Sequence, residues 1–392
     1  MSRRRSRGTS RAKRTSPIAV LAIVLLLVGL YLFLQYQRTG SVLPPISREL
    51  PTPTSAPAST TAAPSSDWYE VYFTTPRYPD KPEYHQGGLD EKLVAFINTA
   101  TKTIDLADYD FDLSNVANAL AQAVSRGVRV RMVTDTDTLT NDDPAVQKAF
   151  GIVKNAGIPI IDDQRQPIMH NKFLVVDNAA VWTGSWNFTD GDAYRLNNNA
   201  IKIMSPELAQ NYTAEFEKMF VKRLFGPKKP AGVPHPVLTI SGVHVENYFA
   251  PEDKVASHII AQLNQAKQSI HFLAFSFTHD ATGNALIERA KAGVQVAGVF
   301  ETTGSETKFS EFGRMKAANL DVLQDGNPYV MHHKVFIIDG REVLFGSFNF
   351  SDNADKDNDE NLLIVDDPAL AQQFEAEFQR VREVALNPPK KK

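Results

Sequence analysis

The chain contains one stretch of sequence twice, and this internal duplication constrains the fold more than any other feature. The pattern His-x-Lys-x-x-x-x-Asp occurs at His170, Lys172 and Asp177 and again at His332, Lys334 and Asp339. Further upstream, the equivalent residues Gly127 and Gly293 lie a few residues further apart than the two motif histidines do. Two copies of roughly 150 residues each therefore follow one another. A repeat of this length is typical of two fused domains and is too long for a solenoid.

Each copy of the pattern leads into a predicted buried strand that ends in a tight turn. The apolar run 173–176, like its counterpart in the second copy, is short and continuous, as expected for a strand buried on both faces. Because side chains alternate along a strand, His170 and Lys172 point to one face and Asp177 points to the other. Asp177-Asn178 and Asp339-Gly340 are also hairpin dipeptides. Both aspartates are therefore predicted to be supporting turn residues.

A second motif, Gly-Ser-x-Asn, follows each copy at the same distance. It consists of Gly184, Ser185 and Asn187 in the first copy and of Gly346, Ser347 and Asn349 in the second. Together the motifs resemble the phospholipase D superfamily, whose signature is this "HKD" pattern with a downstream Gly-Ser-x-Asn. The resemblance implies a duplicated α/β/α sandwich whose two repeats share one active site at their interface. One chain would then contain the whole active site, and a monomer is expected.

The coarse pattern of elements predicts the fold class and the domain boundaries. In the first copy, residues 103–106 and 128–133 are predicted strands, and apolar residues between them recur at helical spacing. This alternation predicts an α/β fold with a mostly parallel sheet covered by helices. The predicted domains are 67–222 and 237–386, joined by a connector at 223–236 that is rich in Pro, Gly and Lys.

The residue types suit chemistry at a phosphodiester. Neutral imidazole is a nucleophile near neutral pH and can also move protons, so one histidine would attack phosphorus and the other would protonate the leaving oxygen. The groups expected around the nonbridging phosphate oxygens are Lys172, Lys334, Asn187 and Asn349, with Ser185 and Ser347 in support. Because two lysines supply the positive charge that a divalent cation provides elsewhere, no metal or other cofactor is expected. The resemblance implies the same metal-independent scheme.

The two copies differ at one position that bears on the histidines. The first copy has Asn198 where the second has Glu360. The family resemblance implies a carboxylate at this position that orients an imidazole across the interface, which would pair Glu360 with His170. A carboxylate partner fixes the tautomer and stabilises the imidazolium. On this basis His170 is the predicted nucleophile and His332 the predicted acid, with the reverse order left open.

The N-terminal segment predicts a membrane anchor. Residues 1–16 form a basic tail, residues 17–35 contain an unbroken apolar run, and residues 36–66 are dominated by Pro, Ser, Thr and Ala. The apolar run has about the minimum length of a bilayer-spanning helix. This composition predicts a cytoplasmic N-terminus, a single transmembrane helix, and a disordered linker to an extracytoplasmic body in the cell membrane. A cleaved secretory signal is the alternative. A second basic tail is predicted at 387–392.

The charge balance bears on the substrate. The net charge is −3, but residues 1–38 carry eight basic and no acidic side chains, so the remainder carries −11. An acidic body does not favour broad nucleic-acid binding, which rests on a basic surface. The membrane tether favours a phospholipase D acting on glycerophospholipids, although the Met-His-x-Lys form resembles bacterial nucleases as well as mitochondrial cardiolipin-hydrolase-like members. A membrane-anchored endonuclease for DNA or RNA, a phosphatidyltransferase and an inactive binding module remain open alternatives.

Overall fold

The computed structural model describes residues 67–390. The predicted basic tail 1–16, transmembrane anchor 17–35 and linker 36–66 therefore lie outside the described residues, as do the last two residues of the tail 387–392. Of the helices in the described part of the chain, none combines the length and the apolar character needed to cross a bilayer.

The first half contains eight strands, six α-helices and a short 3-10 helix at Pro82–Tyr84. In chain order its elements are β1 Tyr69–Phe73, α1 Leu89–Asn98, β2 Thr103–Asp108, α2 Ser114–Ser125, β3 Arg129–Thr134, α3 Thr136–Leu139, α4 Pro144–Asn155, β4 Ile160–Asp162, β5 Lys172–Val176, β6 Ala180–Gly184, α5 Asp190–Tyr194, β7 Leu196–Asn197, β8 Asn199–Met204 and α6 Pro206–Phe220.

The second half follows a connector that contains the 3-10 helix Gly226–Lys228, and it repeats this order with two additional strands and no counterpart of β7. Its elements are β9 Val237–Ile240, β10 Val243–Ala250, α7 Val255–Gln265, β11 Ser269–Ala274, α8 Asp280–Lys291, β12 Gln295–Phe300, α9 Thr302–Ser305, α10 Glu311–Ala317, β13 Asp321–Gln324, β14 Val330–Met331, β15 Lys334–Ile338, β16 Glu342–Gly346, α11 Asp352–Lys356, β17 Glu360–Asp366 and α12 Pro368–Leu386.

Each half is built on one mixed sheet. The strand orders are β1-β8-β6-β5-β2-β3-β4 and β13-β12-β11-β15-β16-β17-β10-β9. The predicted α/β fold with a duplicated sheet is confirmed, but the expectation of mostly parallel sheets is wrong. Within these two sheets only β2-β3-β4 and β11-β12-β13 run parallel. The strand that follows each histidine continues into a hairpin, β5-β6 or β15-β16, and it pairs antiparallel with both neighbours.

The two halves share one hydrophobic core. Two clusters of buried side chains lie on the outer faces of the sheets, one under α1, α2 and α4 and the other under α7, α8 and α10. A third cluster contains residues from both halves, among them Phe173 and Tyr212 from the first and Val335 and Phe374 from the second. Because β5 and β15 both contribute to this shared core, the two His-x-Lys motifs lie at the same interface.

Helices α6 and α12, which pack into the shared core, begin with the same local signals. The side chain of Ser205 accepts a hydrogen bond from the N–H of Leu208, and that of Asp367 accepts one from the N–H of Ala369. A proline follows each cap, where its missing N–H costs nothing. The sequence therefore fixes where both helices start.

Candidate active site

Both His-x-Lys motifs are held by the backbone of the opposite half. The N–H of His170 donates to the carbonyl of Asp359 at 2.9 Å, and the N–H of His332 donates to the carbonyl of Asn197 at 2.9 Å. Asp359 and Asn197 occupy equivalent positions in the two copies. The short parallel pair β7-β14 continues the second of these contacts. The pseudo-twofold relation of the halves thus brings both histidines into one buried site.

His170 is paired with Glu360 across the interface. Its Nδ1 lies 2.7 Å from Oε2 of Glu360, at the start of β17. An ionised carboxylate only accepts hydrogen bonds, so Nδ1 then carries the proton and Nε2 keeps its lone pair. Burial, followed by the charges of Lys172 and Lys334, holds the pKa of His170 well below its usual range. Burial also raises the pKa of Glu360 to about 8, against the opposing charge of Lys172.

His332 has a carboxylate neighbour that the sequence analysis did not identify. Its Nδ1 lies 3.0 Å from Oδ1 of Asn198 and 3.3 Å from Oδ1 of Asp192 in α5. The Asn198 amide donates to Asp192 at 3.0 Å, which turns the amide oxygen toward the imidazole. Burial and then Lys334 lower the pKa of His332 to about 3, while Asp192 opposes them. Burial acts to raise the pKa of Asp192, but its hydrogen bonds with His332 and other neighbours lower it below its usual value.

A comparison of the two copies contains a signal for Asp192. When the copies are aligned on their motif histidines, Asp192 corresponds to Ala354 and Asn198 corresponds to Glu360. Each copy therefore carries one carboxylate at these two positions, and the structure brings each of them to the histidine of the other copy. The carboxylate that is missing at position 198 is thus supplied from an earlier position in the same copy.

The two lysines are buried beside the histidines. Each Nζ donates to the carbonyl oxygen of its own motif histidine, at 2.8 Å for Lys172 and 2.7 Å for Lys334. An aromatic ring also lies against each, with centroids 5.0 Å away for Tyr109 and 4.5 Å away for Phe275. Burial lowers the pKa of Lys172 to about 8, and burial followed by the charge of Lys172 lowers that of Lys334 well below its usual range.

The Gly-Ser part of the second motif supports the strands behind the site. Oγ of Ser185 donates to the Asn198 side chain at 2.8 Å, and Oγ of Ser347 accepts from a backbone N–H at 2.9 Å. Gly184 and Gly346 have φ of 150° and 156°, and a Cβ at either position would collide with the backbone of the neighbouring strand. Glycine is thus required where these strands approach closely.

The asparagines of the second motif are buried beside the site. Nδ2 of Asn187 donates to Asp192 at 3.2 Å. The side-chain oxygens of Asn187 and Asn349 are buried, and within residues 67–390 no hydrogen-bond partner faces them. The unused capacity lies on acceptor oxygens, so a contact with a phosphate oxygen would need the amide N–H groups instead.

The motif aspartates lie at turns, away from the histidines. Asp177 and Asp339 have φ of 53°. Each carboxylate accepts hydrogen bonds from three consecutive backbone N–H groups. The donors to Asp177 are Thr101, Lys102 and Thr103, and the donors to Asp339 are Lys267, Gln268 and Ser269. Both residues therefore tie the hairpin after the histidine strand to the start of its neighbouring strand.

Comparison with known proteins identifies the family. The family model described as "Cardiolipin synthase, PLD-like domain" matches residues 93–220 and again residues 259–382. The chain therefore belongs to the phospholipase D superfamily and carries its domain twice, as the paired motifs indicated.

Individual relatives cover parts of the chain. The phospholipase D of Rickettsia prowazekii (strain Madrid E) is 33% identical over 135 residues, which span 34% of this chain and 66% of that protein. The mitochondrial cardiolipin hydrolase of Xenopus laevis is 30% identical over 131 residues, 33% of this chain and 62% of that protein. The crystal structure of phosphatidylserine synthase from Haemophilus influenzae Rd KW20, 14% identical, matches with a TM-score of 0.60 over 81% of this chain and 87% of that chain. This last likeness shows the duplicated fold.

Proposed function

We propose that the protein is a metal-independent phosphodiesterase that works through a phosphohistidine, and that it acts as a phospholipase D on glycerophospholipids. One observation carries the proposal: two buried imidazoles, His170 and His332, each have Nδ1 beside a carboxylate of the opposite half. With Nδ1 beside a carboxylate, Nε2 is the ring nitrogen that each histidine would present to the phosphorus. A merely structural histidine pair would not need two buried lysines beside it.

The chemistry is a double displacement. Nε2 of His170 attacks phosphorus, and the bond to the leaving oxygen breaks while Nε2–H of His332 gives that oxygen its proton. Neutral His332 then removes a proton from water, the water oxygen attacks phosphorus, and the phosphorus–nitrogen bond breaks. Both histidines return to their starting states.

The substrate itself supplies a charge that the acid needs. In the free protein the pKa of His332 is about 3, so its imidazole is neutral at neutral pH. A phosphodiester anion bound between the lysines favours the charged form of a nearby imidazole. Binding therefore raises the pKa of His332 when its proton is required. In this proposal Lys172 and Lys334 hold the nonbridging oxygens through their charge, and Asn187 and Asn349 contribute through amide N–H groups.

Two considerations favour a lipid substrate. The chain beyond residue 38 carries a net charge of −11, which opposes broad attraction of nucleic acid. The relatives with about one third identity are named phospholipase D and cardiolipin hydrolase, although they match only part of this chain. Independently, the predicted tether would hold the body near a membrane surface, where such lipids lie.

The test uses the full chain in detergent micelles, incubated with phosphatidylcholine, cardiolipin, DNA or RNA, with and without chelator. We expect release of phosphatidic acid from a lipid, full activity in chelator, and loss of activity in His170→Ala. Cleavage of nucleic acid alone would identify an endonuclease, and transfer to an added alcohol without hydrolysis would identify a phosphatidyltransferase. Absence of turnover on all four substrates would favour a binding module. A requirement for divalent cation would contradict the mechanism.

For its location we propose a monomer anchored in the cell membrane by residues 17–35, with the N-terminus cytoplasmic and the catalytic body outside the cytoplasm. The basic flank and the apolar run that follows it support this topology. Protease added to intact cells should digest the body. A mature N-terminus beyond residue 34, found by sequencing, would instead establish a cleaved signal.

A further inference from the structure

A buried ion cluster lies behind His170, and a lysine of the inter-half connector stands at its centre. The Lys229 side chain is fully buried, with Nζ 2.8 Å from Oδ1 of Asp359 and 3.1 Å from Oε2 of Glu252. It also pairs with Glu215 of α6 and donates to a backbone carbonyl at 3.2 Å. The surrounding carboxylates hold the pKa of Lys229 above its usual value despite burial. The connector is thus bound to both halves through one cation.

Asp359 connects this cluster with the histidine. Its carbonyl accepts the N–H of His170 at 2.9 Å, and its own N–H donates to the carbonyl of Ile168 at 3.0 Å. The next residue in the chain is Glu360, whose carboxylate meets Nδ1 of the same imidazole at 2.7 Å. The two-residue stretch Asp359-Glu360 therefore fixes the position of the His170 main chain and also supplies the carboxylate partner of its imidazole.

The side chain of Asp359 determines where that stretch lies. Its Oδ1 accepts from Nζ of Lys229 and from the N–H of Gly226, both at 2.8 Å and both in the connector. Its Oδ2 pairs with Arg165. Since a carboxylate removed from water in this way is stable only with its cations in place, loss of Lys229 would shift Asp359 and, with it, Glu360.

The His332 side is built differently. There the equivalent of Asp359 is Asn197, whose side-chain oxygen accepts from the amide of Asn327 at 2.7 Å. This contact joins two neutral amides, whereas the contact at Asp359 joins charged groups. A change at Lys229 should consequently affect one histidine of the pair and spare the other.

We propose that Lys229 is a positioning residue that acts through Asp359 to hold Glu360 against His170, and so sets the tautomer of that histidine. The proposal concerns the geometry of the same site whose chemistry is proposed above, and the catalytic part of its test rests on that function. Lys229 itself has no contact with either imidazole in the hydrogen bonds and ion pairs of residues 67–390.

The test compares two charge-balanced double variants of the full chain. Lys229→Met with Glu252→Gln removes the contact to Asp359. Lys218→Met with Glu252→Gln is the matched control, because Lys218 is also buried and lies 3.2 Å from Glu215 and 3.0 Å from Glu252. Both variants lose one cation and one carboxylate from the same cluster, and only the first removes a cation bound to Asp359. If the first does not fold, Asp359→Asn takes its place, since its amide oxygen can still accept the Gly226 N–H.

The first measurement does not depend on activity. Nitrogen chemical shifts of labelled histidines report which ring nitrogen carries the proton. The spectra are recorded above pH 8, where Glu360 is ionised and His170 carries its proton on Nδ1. In the Lys229 variant we expect His170 to lose this preference, with His332 unchanged; the control should change neither. An unchanged His170 signal in the Lys229 variant would overturn the proposal even if the protein proved to cleave no phosphodiester.

The second measurement uses turnover of a nitrophenyl phosphodiester. A displaced nucleophile can cost up to about 100-fold in rate, so we expect kcat to fall on that scale with KM unchanged in the Lys229 variant. Formation of the phosphohistidine should slow, while its hydrolysis, which uses His332, should keep its rate. Equal losses in the two double variants, or slowing of both steps together, would reduce Lys229 to a structural residue.

Discussion

Replacing Asp192 with asparagine should separate acid catalysis from the rest of the mechanism. The substitution keeps the size of the side chain and removes its charge. The amide oxygen of the asparagine can still accept hydrogen bonds from Asn198 and His332. Its amide nitrogen can donate to Oγ1 of Thr189, which lies 3.0 Å from the carboxylate of Asp192 in the native protein. The geometry of the site is therefore expected to survive, and the loss of the negative charge beside His332 is the perturbation.

The size of the effect follows from the contact that is lost. A hydrogen bond to a charged group is worth about 1.5–3 kcal/mol. If all of that stabilises the protonated imidazole in the transition state, the rate falls roughly 10- to 150-fold, at about 1.36 kcal/mol for each factor of ten. The loss should appear in kcat, since Asp192 contacts the imidazole and the motif amides rather than the substrate.

The assay compares two phosphodiesters with the same acyl or aryl portion and different leaving groups. An alkyl alcohol needs a proton to depart, whereas a nitrophenolate does not. We expect Asp192→Asn to lose the full factor with the alkyl ester and to form the phosphoenzyme almost normally with the nitrophenyl ester. Asp190→Asn is the control, because Asp190 lies in the same helix but pairs with His85 at 3.0 Å, outside the site.

Equal losses with the two leaving groups would refute the assignment of His332 as the acid assisted by Asp192. A comparable loss in Asp190→Asn would show that the charge of the helix, rather than the contact, is responsible. Thermal unfolding of both variants checks that each remains folded.

Other outcomes follow from the same geometry. His170→Ala and His332→Ala should each lower turnover by orders of magnitude with the fold intact, because the pair acts as a unit; near-normal turnover in either variant would contradict a shared site. A trapped phosphoenzyme should map to His170 and should accumulate in His332→Asn with a nitrophenyl ester; phosphate on His332 would reverse the roles. The profile of kcat/KM against pH should peak near pH 8, because Glu360 must be ionised and Lys172 charged and the pKa of each is about 8. Activity should fall below that pH as Glu360 gains a proton and above it as the buried lysines Lys172 and Lys334 lose theirs, and Lys172→Arg should leave the acid limb in place.

The sequence predicted the parts of the site that depend on local geometry. Strand parity places His170 and Lys172 on one face, and the hairpin dipeptide makes Asp177 a turn residue, because both depend on neighbours within a few positions. The duplication predicted two equivalent sheets. The resemblance to a known family added the contact between Glu360 and His170, which no periodicity in the chain could indicate.

Two features escaped the sequence analysis for physical reasons. Alternation of strands and helices suggested mostly parallel sheets, but the strands after β4 and β13 return through hairpins, and hairpin partners run antiparallel. Asp192 escaped because it lies in a short helix among other acidic residues, and only the fold brings it within 3.3 Å of His332. Contacts between distant segments depend on how the halves pack, which local patterns do not encode.

The exchange of carboxylates between the halves couples folding to function. His170 takes Glu360 from the second half, and His332 takes Asp192 from the first, so neither half alone contains a motif histidine together with its carboxylate partner. The backbone contacts of the histidines cross the same interface. A half that folded alone would keep its histidine and lysine but would leave the imidazole without the partner that fixes its tautomer. In the proposed mechanism, catalytic competence therefore arises only when the shared core forms, and the different positions of Glu360 and Asp192 give the two motif histidines unequal roles.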